Sequence, residues 1–221
     1  MGMKKKLKIR ALAYDPLLYP FLHPIRSEVA STLISWGAFD KKILDLCCGT
    51  GNQLKILSEN GFRDLYGVDI SPAMTEVAEK NHSSLHIYTE DAVHTGFDSA
   101  RFDIILISFG IHEKDDETGR ALLNEAYRLL KKDGFLVIVD YEFVPGIKPF
   151  TRFVLFFIER MAGRYHFRNF RDYLEKNGLN TIIDEKKYTC IQRRSVLFNS
   201  TVFAVYTKSE ADCPGTKEDG V

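Results

Sequence analysis

Apolar positions gather in short continuous runs separated by amphipathic stretches, and the two alternate along most of the chain. Ile43 to Leu46, Leu65 to Ile70, Leu85 to Tyr88, Ile104 to Ile107 after Phe102-Asp103, and Phe135 to Val139 read as five strands, the continuous runs suiting a sheet covered on both faces. Between them, Leu54 and Leu57 mark a short helix that Gly61 can terminate, and Ser71-Pro72 opens a second helix with Met74, Val77 and Ala78 as its stripe. Leu122, Leu123, Ala126, Leu129 and Leu130 define a long helix predicted to end at Asp133-Gly134. Strand and helix alternating over residues 42–140 predict an α/β fold, a doubly wound, Rossmann-like, mostly parallel sheet of seven strands with helices on both faces. Two β-rich segments, Thr181 to Cys190 and Val196 to Tyr206, supply its antiparallel C-terminal pair.

The flanks depart from this rhythm. Pro16, Pro20 and Pro24 interrupt the aromatic-rich stretch from Tyr14 to Ile25, which therefore cannot be one regular helix. From Pro24, the spacing of Ile25, Val29, Leu33 and Trp36 predicts an amphipathic helix ending near Gly37. Residues 143–167 carry Pro145-Gly146, Pro149 and the run Phe153 to Ile158, an insertion over the ligand end of the sheet that reads either as an ordinary buried element or as an apolar lid. Asn169 is expected to cap a helix with Phe170, Tyr173 and Leu174 on its inner face, closed by Gly178. The organisation expected is one domain over residues 1–207, with an N-terminal segment and helix over 1–41, and a flexible tail over 208–221.

Composition narrows the partners. Lys plus Arg equals Asp plus Glu at 30 each, so no net field favours nucleic acid. Cysteines 47, 48, 190 and 213 lack the paired spacing of a zinc site, and an adjacent pair suits no ordinary disulfide, which favours a reducing cytoplasm. The basic stretch Met1 to Arg10 precedes no long apolar region, and no window reaches the ~20 apolar residues of a spanning helix. Peripheral membrane contact through Phe153 to Ile158 and the basic arm stays open, and nothing in the pattern specifies an oligomeric state.

The chemistry concentrates where the first strand meets the next helix, Leu44-Asp45-Leu46-Cys47-Cys48-Gly49-Thr50-Gly51-Asn52. Glycines there admit positive φ and the close approach of a ligand. A dinucleotide fingerprint aligned on Gly49 finds Cys47 and Asn52 where its outer glycines belong, which disfavours an NAD-dependent oxidoreductase. The stretch instead resembles motif I of class I S-adenosylmethionine-dependent methyltransferases. Tyr66-Gly67-Val68-Asp69-Ile70-Ser71, Glu90-Asp91-Ala92, Phe102 to Ile105 and Arg128 to Leu136 follow in that family's order, and the branch most similar is that of the ubiquinone and menaquinone C-methyltransferases. The resemblance implies S-adenosylmethionine as donor and S-adenosylhomocysteine as product.

It also assigns residues. Asp45, Cys47, Gly49, Thr50 and Gly51 would surround the methionine portion, with Asp45 orienting its ammonium. Asp69 would accept from both ribose hydroxyls, Ile70 would pack on adenine, Asp91 and the Ala92 amide would bond it, and Ser108 would border the sulfonium. Cys47 departs from the family, many members of which carry glycine there. The acceptor implied is a small molecule, a quinone precursor, phenol, amine or lipid. Its catalytic candidates are His112 and Glu113, which follow the fourth strand, and His166, with Tyr141 as a further base; no metal is called for. The bland alternatives are a surface turn at residues 109–113 and a regulatory module that binds the donor without catalysis.

Overall fold

The computed structural model describes residues 22–81 and 84–209. Seven strands form one sheet: β1 (Ile43–Leu46), β2 (Leu65–Asp69), β3 (His86–Thr89), β4 (Phe102–Ser108), β5 (Leu130–Tyr141), β6 (Tyr188–Val196) and β7 (Thr201–Lys208). Their order is β3-β2-β1-β4-β5-β7-β6, with β7 antiparallel to both of its neighbours and the other pairs parallel. The doubly wound, mostly parallel sheet with a C-terminal antiparallel pair is thus present. The direction of winding reverses between β1 and β4, where sheets of this kind leave a crevice beyond the strand ends.

Alternate residues of each strand feed two cores. Leu44, Leu46, Ile105, Ile107, Leu136 and Ile138 point to one face, against α4 (Asp116–Leu129), α6 (Arg164–Glu175) and the short α7 (Leu179–Ile182). Ile43, Ile104, Leu106, Val137 and Val139 point to the other, against α1, helical over residues 22–35, and α2 (Asn52–Glu59). The helix α3 (Pro72–Asn81) follows β2, and α5 (Pro149–Ala162) packs against α6 after β5.

Three local expectations need correction. The long helix stops at Leu129 rather than Asp133-Gly134, because Leu130 turns extended and pairs with Phe102. Pairing resumes with Ile104 opposite Phe135, so residues 131–134 are looped out. Asn169 caps nothing; it lies buried inside α6, whose start is Arg164. The segment from Thr181 begins in α7, and β6 starts only at Tyr188.

The insertion is helical. Leu155, Ile158 and Glu159 of α5 turn inward, while Phe150, Phe153, Phe157 and Met161 are exposed. Among the described residues no helix is long and apolar enough to cross a membrane. Residues 22–25 of the proline-bearing segment are helical; the rest of that segment, the basic arm and the tail from residue 210 lie outside the described residues.

Candidate functional site

The turn after β1 holds three left-handed residues within five: Cys47 at φ 69°, Gly49 at φ 55° and Gly51 at φ 76°. A Cβ at Gly49 would meet nothing within 4 Å, so this glycine answers to backbone conformation and to an open side rather than to crowding. Cys47 adopts the same conformation with a side chain, which costs about 1–2 kcal/mol. The structure accommodates it because the Cys47 and Cys48 amides both donate to the Val68 carbonyl, at 2.9 Å each. A methylene at Gly110 would approach the Cys47 Cβ to 3.0 Å, so the loop after β4 closes directly over this turn.

Asp69 ties the turn to the end of β2. Its Oδ2 accepts from the Gly49 amide at 2.9 Å and its Oδ1 from the Ser71 amide at 2.9 Å. Each oxygen keeps a second lone pair. Burial raises the Asp69 pKa, against the two backbone bonds that lower it.

A cavity of about 170 Å³ opens beside the turn, lined among others by Asp45, Cys47, Gly49, Thr50, Gln53 and Ser108. Ile25, Met74 and Phe109 add apolar wall. Asp45 is only 2% exposed, and its Oδ1 has no partner among the described residues; nor does the buried Oε1 of Gln53. Burial drives the Asp45 carboxyl up to about 8, Arg26 opposing and Asp69 reinforcing the shift. Two acceptor oxygens held dry and unpaired in one cavity call for a ligand that carries several donors.

The adenine-side candidates lie apart from this cavity. Ile70 is 67% exposed, Asp91 is exposed with its Oδ1 accepting from the Val93 amide, and Ala92 is buried. They share the strand ends, since the Glu90 amide donates to the Asp69 carbonyl.

Past Phe109, the three catalytic candidates meet in one cluster with partners the sequence did not single out. His112 Nδ1 lies 2.7 Å from Asp140 Oδ1, and its Nε2 lies 3.7 Å from Glu159 Oε2. His166 Nε2 is 2.5 Å from the same Glu159 oxygen, and its Nδ1 is 3.5 Å from Glu113 Oε2. Tyr141 donates to Glu159 Oε1 at 2.8 Å, and Asn169 donates to the Glu113 carbonyl at 2.8 Å. Burial alone would lower the His112 pKa, but Asp140 and Glu159 overcome it and hold the ring up to about 10. The two carboxylates thus favour the protonated ring in this arrangement. Glu113 and Glu159 are held low by their histidine and lysine neighbours against the opposing effect of burial.

Signals for the missed residues exist. Asp140 is the one acid in the apolar run of β5, and Glu159 shares the inner face of α5 with Leu155 and Ile158. Gln53 sits in the first turn of α2, with its amide nitrogen donating to the Arg26 carbonyl at 3.2 Å.

Residues 43–134 match the family model described as methyltransferase domain. The demethylmenaquinone methyltransferase of Thermotoga maritima is 35% identical over 112 residues, 50% of this chain and 48% of that protein. The ubiquinone/menaquinone biosynthesis C-methyltransferase of Campylobacter jejuni is 31% identical over 108 residues, 46% and 45% of the two chains. The chain spans about half the length of the curated relatives it matches. Among solved structures, a protein of Pyrococcus horikoshii superposes with a TM-score of 0.65 at 18% identity, covering 85% of this chain and 92% of that one. The magnesium protoporphyrin IX methyltransferase of Synechocystis, solved with bound S-adenosylmethionine, gives 0.55 at 17% identity, covering 84% and 79%. These superpositions show the shared fold.

Proposed function

We propose that this chain, which carries a methyltransferase domain, transfers the activated methyl group of S-adenosylmethionine to a small, partly hydrophobic acceptor. The observation that carries the reading is the pair of buried oxygens with no partner among the described residues, Asp45 Oδ1 and Gln53 Oε1, beside a left-handed glycine turn. An α-ammonium group offers three N–H donors and a positive charge, which suits a carboxylate and an amide oxygen held out of water.

In this reading Gly49, Thr50 and Gly51 border the methionine portion. The free lone pairs of Asp69 accept from the ribose hydroxyls, while its backbone bonds keep the carboxylate still. Ile70, Asp91 and Ala92 serve the adenine, and Ser108 and Phe109 stand between the donor and the acceptor space. The donor, when bound, supplies an electrophilic methyl on a sulfonium. The protein's own work is then to align the acceptor with that methyl and exclude water. Aromatic acceptors of the quinone-precursor class come first, because two relatives are named for them.

Calorimetry with S-adenosylmethionine, S-adenosylhomocysteine and NAD tests the donor, followed by labelled-methyl assays on quinol and phenol acceptors. Saturable binding of the first two is expected. Saturable NAD binding with neither of them bound would overturn the proposal.

A further inference from the structure

The cluster beyond Phe109 is organised more tightly than a network of ion pairs requires. His112, His166 and Glu159 each offer one ligand atom, a ring nitrogen or a carboxylate oxygen, and these all lie within 4.8 Å of one another. Both Nε2 atoms converge on the same oxygen, Glu159 Oε2, at 3.7 and 2.5 Å. Donor atoms around a tetrahedral ion with bonds of ~2.0–2.1 Å stand roughly 3.3 Å apart, so small side-chain adjustments would admit one.

What lies behind each donor points the same way. His112 Nδ1 is held at 2.7 Å by Asp140 Oδ1, and His166 Nδ1 faces Glu113 Oε2 at 3.5 Å. Carboxylates behind the far nitrogen fix the ring orientation and leave Nε2 pointing inward, as in carboxylate–histidine–metal arrangements. The supporting groups are themselves fixed. The Ile111 amide donates to Asp140 Oδ2 at 2.9 Å and the Tyr141 amide donates to Oδ1 at 2.8 Å, while the Tyr141 hydroxyl holds the second oxygen of Glu159. Phe109, Tyr141 and Phe170 pack edge-on around His112 and give the site an apolar shell. A simple ion pair needs neither the convergence on one oxygen nor the carboxylate behind each ring.

We propose that His112 Nε2, His166 Nε2 and Glu159 Oε2 form a binding site for a divalent first-row transition ion, Zn²⁺ first, with at least one coordination position left for an oxygen or sulfur ligand. Two imidazoles and one carboxylate are a borderline donor set that suits Zn²⁺, Co²⁺ or Fe²⁺ better than the oxygen-seeking Mg²⁺ or Ca²⁺. The ion would sit one aromatic ring from the donor cavity, since Phe109 lines that cavity and its ring centroid is 6.4 Å from that of His112.

The test uses the full chain, stripped with chelator and titrated with Co²⁺ under visible absorption, with Zn²⁺ as competitor. Wild type is expected to take up one equivalent and show ligand-field bands of a low-coordinate ion, which Zn²⁺ abolishes. H166A removes a ligand that is not fully buried and should lose at least roughly 100-fold in affinity; D140N, behind His112, should lose about 10–100-fold. Circular dichroism and S-adenosylmethionine calorimetry on both variants report folding and donor binding separately, so this proposal and the donor assignment fail independently. Absence of stoichiometric Co²⁺ uptake by wild type, or uptake unchanged in both H166A and E159Q, would overturn the metal site.

Discussion

The donor turn and the histidine cluster lie on either side of Phe109, yet they are built in opposite ways. The turn is largely local: Asp45, Cys47, Gly49, Thr50 and Gln53 fall within nine residues, while Asp69 and the wall residues Ile25, Met74, Ser108 and Phe109 reach in from elsewhere along the chain. The cluster draws His112 from the loop after β4, Asp140 and Tyr141 from the end of β5, Glu159 from α5 and His166 from α6. A local site can be written as a motif, because the spacing of its residues is its geometry. A dispersed one depends on how helices pack, and its members carry no common spacing.

This contrast can be broken experimentally. The largest expected effect is D45A: losing a charge-assisted contact to an ammonium costs about 3 kcal/mol, roughly 150-fold in donor affinity by calorimetry. H166A should move that affinity by less than about threefold; a loss comparable to that of D45A would mean the two regions act as one site. D69A removes the anchor of the Gly49 and Ser71 amides together with the ribose acceptor, and should weaken donor binding by about 2 kcal/mol, roughly 30-fold.

Proton linkage sharpens the same boundary. The folded carboxyl of Asp45 is raised from 3.8 to about 8, so below pH 8 a cationic ligand must displace its proton. Donor affinity is therefore expected to rise with pH by up to about tenfold per unit between pH 6 and 8, then level off, and D45N should flatten that profile. In the ligand-free protein the sign reverses: the stability associated with protonated Asp45 is present at low pH and is lost as pH rises through about 8. Denaturant midpoints of wild type and D45N should diverge in that direction. The smallest effect is C47G, where relief of the left-handed side chain, about 1 kcal/mol, is offset by the greater backbone entropy of glycine; denaturation should shift by less than about 1 kcal/mol.

The parallel strands were legible because each is a continuous apolar run bounded by a turn, and the positions of β1 to β4 match those runs within a few residues. The end of the long helix was misread at Asp133-Gly134. Leu130 has a helical neighbourhood in sequence, but pairing with Phe102 draws it into the sheet, a tertiary choice that local propensity does not record. Asn169 looked like a cap because of its residue type, whereas burial against the Glu113 carbonyl decides its place. His112, Glu113 and His166 could each be noticed as polar residues near the ligand end of the sheet. That they converge, and that Asp140 and Glu159 bind them, follows from the packing of α5 and α6, which no spacing announces.

The antiparallel pairing of β7 with β5 also governs how the chain can be made. When β5 leaves the ribosome its partner β7, Thr201–Lys208, has not yet been synthesised. Until then the far edge of β5 presents unpaired amides and carbonyls on a strand whose residues from Leu136 to Tyr141 are all apolar or destined for burial, a template for pairing with another chain. The central strands can assemble early, but the sheet acquires a protected border only when the last hairpin folds back. Translation stalled or cut between Tyr141 and Thr201 should accordingly yield aggregates rather than a smaller soluble domain.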